Sequence, residues 1–148
     1  MHLKRDTEYA LRIMTCMAEH LKKNRKAAGI SSSCVIAETD ISLITFNRIC
    51  NCLEEKKLIL KKSREEGDKW LYPGNDFWKQ SIFTIGKAVE GNMELFVVFD
   101  KNAHFTQTYG NRLEEIQKNL EQVLLKTTLE ELVESSGSKP LLKPEMCW

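Results

Sequence analysis

The chain has 148 residues, 42% of them apolar, which suits one domain of ordinary size with a buried core. Seven Gly and three Pro exclude a collagen-like or disordered chain, and the longest apolar run, residues 95–99, is far short of the roughly 18 residues a membrane-spanning helix needs. The net charge of +1 hides an asymmetry: residues 1–72 carry 14 Lys/Arg against 10 Asp/Glu, and residues 73–148 carry 8 against 11.

A mildly basic first half suits a polyanionic partner. Five cysteines, an odd number without framework spacing, fit a reducing compartment better than a secreted disulfide scaffold. The N-terminus has no apolar signal core. The expectation is a soluble cytoplasmic protein with no membrane partner.

The spacing of Tyr9, Ala10, Ile13, Met14, Met17 and Leu21 predicts a first helix, with Asp6 or Thr7 as its N-cap. A basic connector over residues 23–30 follows, punctuated by Gly29. Ser31, Ser32 and Ser33 then offer caps for a short helix carrying Val35, Ile36 and Ala37. After the break at Thr39-Asp40, Ser42 is the expected N-cap of another helix. Ile41 before it and Phe46 within it stand at the positions of a hydrophobic staple. Leu43, Phe46, Ile49, Cys50 and Leu53 form the expected buried face, while Ile44, Thr45, Asn47, Arg48 and Asn51 point away. Two short helices joined by a tight turn make a helix-turn-helix, a geometry that offers its second helix to a DNA major groove.

Residues 58–62 and 69–72 read as two short strands around a polar tip, Ser63-Arg64-Glu65-Glu66-Gly67-Asp68. A hairpin in this place makes the unit a winged helix-turn-helix, closed by Pro73-Gly74. Residues 81–90 read as a further helix ended by Gly91. From Arg112 a longer helix is expected, with Leu113, Ile116, Leu120, Val123, Leu124 and Thr127 along one stripe. That stripe either packs on its own domain or forms a two-fold dimer seam, dimers being the commonest assembly. Leu129, Leu132 and Val133 continue in a short helix, and residues 135–148, ending in Cys147-Trp148, read as a loose tail. The apolar residues 95–99 with Phe105 either cover the long helix or line a small-molecule pocket.

These residues resemble the Rrf-two family of bacterial winged-helix transcriptional regulators, whose members include iron–sulfur assembly, nitric-oxide and cysteine-metabolism repressors (the IscR, NsrR and CymR types). The resemblance rests on Leu3…Thr7-Glu8-Tyr9-Ala10-Leu11-Arg12 and on Ser32…Ile36-Ala37-Glu38…Ile41-Ser42…Phe46…Ile49…Leu53…Leu58-Ile59. It extends to Arg64 with Trp70-Leu71-Tyr72, to Ile85…Ala88…Glu90-Gly91, and to Thr128-Leu129-Glu130-Glu131-Leu132. The fold implied is mainly α: a winged helix-turn-helix with a two-stranded wing and a long C-terminal dimerisation helix. The expected organisation is a DNA-binding domain over 1–74, a connecting helix and loop over 75–111, a dimerisation helix and short helix over 112–134, and a flexible tail over 135–148.

The resemblance implies a homodimeric regulator, repressor or activator, of double-stranded DNA. Ser42, Ile44, Thr45 and Arg48 would occupy the recognition helix, with Arg64 in the wing reaching the minor groove. Lys4 and Arg5 would approach phosphates, and Ser32 is expected among the DNA-binding residues. Arg48, Lys61, Lys62 and Arg64 are expected to neutralise phosphates or read a guanine edge; a charged helix residue is otherwise plain solvated surface. Ile44 and Thr45 are placed against thymine methyls, although Ile44 also fits a merely exposed residue or a partner contact. Leu113, Ile116, Leu120, Val123 and Leu124 are the expected dimer seam.

Two departures matter. Cluster-carrying members place three cysteines after the Glu-Gly landmark, and residues 92–109 here contain none, so no cofactor is expected. Glu8 matches an acidic ligand position of some members, but one carboxylate is no site. The Gly-rich wing tip is replaced by Glu65-Glu66-Gly67-Asp68, whose carboxylates would repel phosphates, and Lys57 replaces a usual Gly. Cys50 and Cys52 lie about 200° apart on a helix and cannot chelate together; Cys34, near a helix N-terminus, is a place where a thiolate would be stabilised. His2, His20 and His104 lack spaced partners. No phosphate loop, nucleophile elbow or metal motif is present, and an enzyme is not expected. A small-molecule or redox effector is left open. The alternative is a dimeric winged-helix interaction module with weak or lost DNA binding.

Overall fold

The computed structural model of the chain describes residues 4–64, 67–94 and 103–135. The order is α1 (Arg5–Lys23), β1 (Ile30–Ser31), α2 (Ser32–Thr39), α3 (Leu43–Glu55), β2 (Ile59–Ser63), β3 (Lys69–Pro73), a 3-10 turn (Phe77–Lys79), α4 (Ile82–Glu90), α5 (His104–Lys126) and α6 (Leu129–Ser135). No described helix is long and apolar enough to cross a membrane. Glu65, Glu66, the apolar residues 95–99 and the tail beyond Ser135 lie outside the described residues.

Helix α1 is the centre of the core. Ala10, Ile13, Met14, Met17 and Ala18 are fully buried along it, and α2, α3, α4 and α6 pack around it. Its start differs from the expectation of an Asp6 or Thr7 cap. The helix begins at Arg5, and its N-cap Lys4 contributes no side-chain bond. Instead Glu90, at the end of α4, accepts from the Thr7 N–H at 3.0 Å and lies 3.3 Å from the Thr7 hydroxyl. A carboxylate from a distant helix thus satisfies a first-turn donor that has no intrahelical partner.

Helix α3 follows the local signals closely. Ser42 is the N-cap, accepting from the Thr45 N–H at 3.3 Å, and the staple residues Ile41 and Phe46 are both buried. Asp40 turns the chain between α2 and α3 in a left-handed conformation (φ 54°). Such a conformation is tolerated by Asp better than by bulkier residues.

The expected two-stranded wing forms from β2 and β3, and β1 adds a third strand to give an antiparallel sheet in the order β1-β3-β2. Ile30 pairs with Leu71 and Ser31 with Trp70. Gly29 allows this pairing: a Cβ there would stand 2.6 Å from the Leu71 carbonyl oxygen and 2.7 Å from the Tyr72 ring. On the other side Lys62 faces Trp70 and Leu60 faces Tyr72. Lys57, before β2, adopts φ 61°.

Helix α5 starts at His104, eight residues before the expected Arg112. Its far end is tied back to the start of α4, where Ile82 N–H donates to the Thr127 carbonyl (3.0 Å) and Leu129 N–H to the Gln80 carbonyl (2.9 Å). No residue of α5 is fully buried.

Candidate nucleic-acid interface

Three elements present the expected residues: the start of α1, helix α3 and the wing. Leu43 was expected on the buried face of α3 but is 60% exposed, and Ile44 is 83% exposed. Leu43 is the first helical residue after the cap, and the buried face begins only with Phe46. Successive helical positions turn by about 100°, so Leu43, Asn47, Ile44 and Arg48 share one outward sector. Asn47 and Arg48 are exposed as well. Ser42 and Thr45 lie at its edge with their hydroxyls 3.0 Å apart, joined in the cap.

Arg48 is engaged within the protein. Its two terminal nitrogens donate to the two carboxylate oxygens of Asp6 at 2.8 and 2.9 Å, a bidentate pair across 42 residues of sequence. The hydrogen bond to Arg48, reinforced by its charge and that of Arg5, holds the Asp6 carboxyl below the usual carboxylate range despite partial burial. The same pair pushes the Arg48 guanidinium up. Beside it, Lys4 and Arg5 are exposed, and the Lys4 ammonium lies 3.4 Å from the Asn92 carbonyl.

The wing arginine is held too. The Arg64 guanidinium stacks 3.4 Å above the centre of the Trp70 ring, and its Nε donates to the Tyr72 hydroxyl at 3.2 Å. Lys62 Nζ lies 5.7 Å from the centre of the Tyr72 ring. Lys61 joins the wing to α3: its N–H donates to Glu54 at 2.8 Å and its ammonium to Asn51 at 3.2 Å. The Ser32 hydroxyl donates to the Lys69 carbonyl at 2.7 Å, so its proton is already used. Asp6, Leu43 and Asn47 are the residues that sequence reasoning left out of the site. Only Asn47 carried a signal, its place on the outward face.

The described cysteines differ in state, Cys52 being free and half-buried. Burial pushes the Cys16 and Cys50 thiols up to about 12, so they are inert packing groups. Cys34 is disulfide-bonded, so its sulfur is not the thiolate that the sequence suggests at this helix start. An iron–sulfur cluster does not fit the donor set. The chain has no cysteine between Cys52 and Cys147, Glu8 is bonded to Arg12 at 2.6 Å, and no three His, Cys, Asp or Glu gather among the described residues.

On α5 the expected stripe splits. Leu113, Leu120 and Leu124 are half-buried on the side where Gln117 bonds the Met93 carbonyl at 3.2 Å. Ile116 and Val123 are exposed and align with Phe105 and Tyr109, whose rings lie 5.3 Å apart. This second apolar line stands about a quarter turn from the first.

No protein-family model and no curated protein matches the chain. Solved structures do. The chain is similar to CymR, the global cysteine regulator of B. subtilis, with 17% identity, a TM-score of 0.73, and coverage of 93% of this chain and 99% of that one. It is similar to the oxidised form of Staphylococcus aureus CymR, with 19% identity, a TM-score of 0.68, and coverage of 93% and 100%. Likeness to T. potens IscR gives 14% identity, a TM-score of 0.69, and coverage of 95% and 94%. Helix-turn-helix, wing and long helix together therefore give the chain the winged-helix fold of CymR and IscR.

Proposed function

We propose that the chain is a transcriptional regulator of the Rrf-two family, a cytoplasmic homodimer that binds a near-palindromic operator and has no catalytic role. The observation that carries this reading is the N-terminal outward face of α3, where Leu43 and Ile44 are strongly exposed. A helix capped and stapled at its N-terminus, yet solvent-facing along an apolar sector, is shaped to enter a major groove. Lys4, Arg5, Lys61 and Lys62 flank it as phosphate partners. The α5 helices of two subunits would cross, setting two recognition helices about one turn of DNA apart.

Room for an effector exists in a cleft of about 530 Å³ between Lys56 at the end of α3, Phe83 and Lys87 of α4, and Leu125 of α5. That cleft joins the DNA-binding head to the dimer helix, where a ligand would alter the angle between heads. A second reading, a dimeric interaction module with weak DNA binding, draws support from the internal engagement of Arg48 and Arg64.

Selection of duplexes from a random library by the purified protein, followed by affinity at several salt concentrations, separates the two. An enriched inverted repeat bound with a steep fall of affinity in salt supports the regulator. Absence of any enriched duplex, with or without cell extract, leaves the interaction module.

A further inference from the structure

The outward sector of α3 has a chemical bias that the expected arginine readout does not explain. Its N-terminal half presents two aliphatic side chains, Leu43 and Ile44, and one carboxamide, Asn47, while its one cation, Arg48, is bound at both terminal nitrogens by Asp6. Guanine offers two acceptors in the major groove and calls for a bidentate cation. Thymine offers a methyl group, which aliphatic side chains bury, and adenine offers the acceptor and donor that a carboxamide matches.

We infer that α3 reads A·T pairs at the centre of each half-site, with Leu43 and Ile44 on thymine methyls and Asn47 on an adenine edge, and that Arg48 reads no base. The inference rests on the DNA-binding reading above and gives it a specificity. The flanking cations Lys4, Arg5, Lys61 and Lys62 supply the charge complementarity that makes a duplex, and not an apolar peptide, the occupant of this exposed sector. Aliphatic contacts alone would give little affinity beside a polyanion, so recognition divides between phosphate contacts for binding and methyl contacts for sequence.

The test uses the full-length protein and its selected operator. Each thymine of a half-site is replaced in turn by deoxyuridine, which keeps the base pair and removes only the methyl. Affinity is expected to fall about fourfold at one or two positions, the equivalent of one methyl returned to water. Ile44→Ala should bind the thymine and deoxyuridine operators equally at one of those positions. Because Ile44 is exposed, this variant keeps its fold, which circular dichroism checks. Arg48→Ala should leave the selected sequence unchanged. An operator bound tightly but indifferent to every deoxyuridine substitution overturns the methyl readout while leaving the regulator intact. A G·C half-site whose preference vanishes in Arg48→Ala overturns it as well. If no duplex binds above background, both the regulator and this specificity fall together.

Discussion

Asp6 on the first turn of α1 holds Arg48 of α3 through both carboxylate oxygens, at 2.8 and 2.9 Å. The pair locks the start of α1 against α3 and, on the proposed DNA-binding reading, withholds one cation from the phosphates. Asp6→Asn, which keeps the shape and deletes the charge, should release Arg48. The slope of log affinity against log salt is then expected to steepen by about 0.9, the value of one added phosphate contact. Because a phosphate contact carries no sequence information, operator and scrambled duplex should gain alike. Fluorescence anisotropy at several salt concentrations measures both. An unchanged slope would mean that a released Arg48 does not reach the backbone.

Proton linkage gives the same pair a signature in stability. The Asp6 carboxyl titrates lower in the folded chain than in the unfolded one, so its contribution is complete above the ordinary Asp range. It is lost as pH falls through the depressed value, because the unfolded chain takes up the proton first. Asp6→Asn should therefore lose less stability than the parent protein between pH 5 and the acid limit, as followed by denaturant unfolding.

Lys57 stands in the left-handed region at φ 61°, where a side chain costs about 1–2 kcal/mol and glycine costs almost nothing. Its neighbour Gly74 leaves no slack, since a Cβ there would stand 2.1 Å from the Lys57 carbonyl oxygen. Lys57→Gly should raise stability by about 0.5–1 kcal/mol, the gain being reduced by the freer unfolded chain. Urea unfolding with an unchanged m-value would show it. Lys57 is also the position where the resemblance leads one to expect Gly, and its backbone conformation supplies the physical reason.

What could be read from the sequence was what local chemistry decides. Ser42, Ile41 and Phe46 lie within five residues of one another, and cap and staple form as their types dictate. The pairs that redefine the site are distant: Asp6 with Arg48, and Thr7 with Glu90, are brought together only by packing of α3 and α4 on α1. Strand β1 has two residues, too few for any period to show, and depends on the missing side chain of Gly29. The early start of α5 was hidden by a Thr- and Gly-containing stretch of low helix propensity, residues 104–111. Leu43 misled because a helix's first position follows its cap before the buried stripe begins. The folded unit was therefore legible, whereas the state of its two arginines was not.

His20 is buried at the C-terminal end of α1, and burial is the main cause that lowers its pKa, with Glu38 opposing and Lys23 adding to the shift. An imidazole that resists protonation when folded binds a proton more readily when unfolded. Stability is thus complete above the ordinary His value of about 6.5 and declines as pH falls below it. Melting temperature should drop more steeply between pH 6.5 and 5 in the parent protein than in His20→Gln, which carries no titrating group. Parallel curves would show that another group governs that range.

The exposed line of α5 provides the sharpest test of assembly. A helix of 23 residues is about 34 Å long, enough to carry a two-fold interface of standard size if it crosses its twin. Phe105, Tyr109, Ile116 and Val123 form the line, and the half-buried Leu113, Leu120 and Leu124 lie beside it toward the protomer's own domain. The seam expected from sequence alone mixes these two sets, and substitutions should separate them. Ile116→Asp with Val123→Asp is expected to yield a monomer by sedimentation with unchanged helical content, since both side chains already face solvent. Its melting temperature should not vary with protein concentration, whereas that of a dimeric parent should rise with it. Operator affinity should fall at least about 100-fold, because one half-site is then bound without the effective concentration that a joined second head provides. Leu113→Asp, in contrast, should reduce helical content or melting temperature, because it disturbs packing within the protomer. If the double variant remained dimeric, the two subunits would have to join through another surface, and the crossing of α5 helices would be wrong.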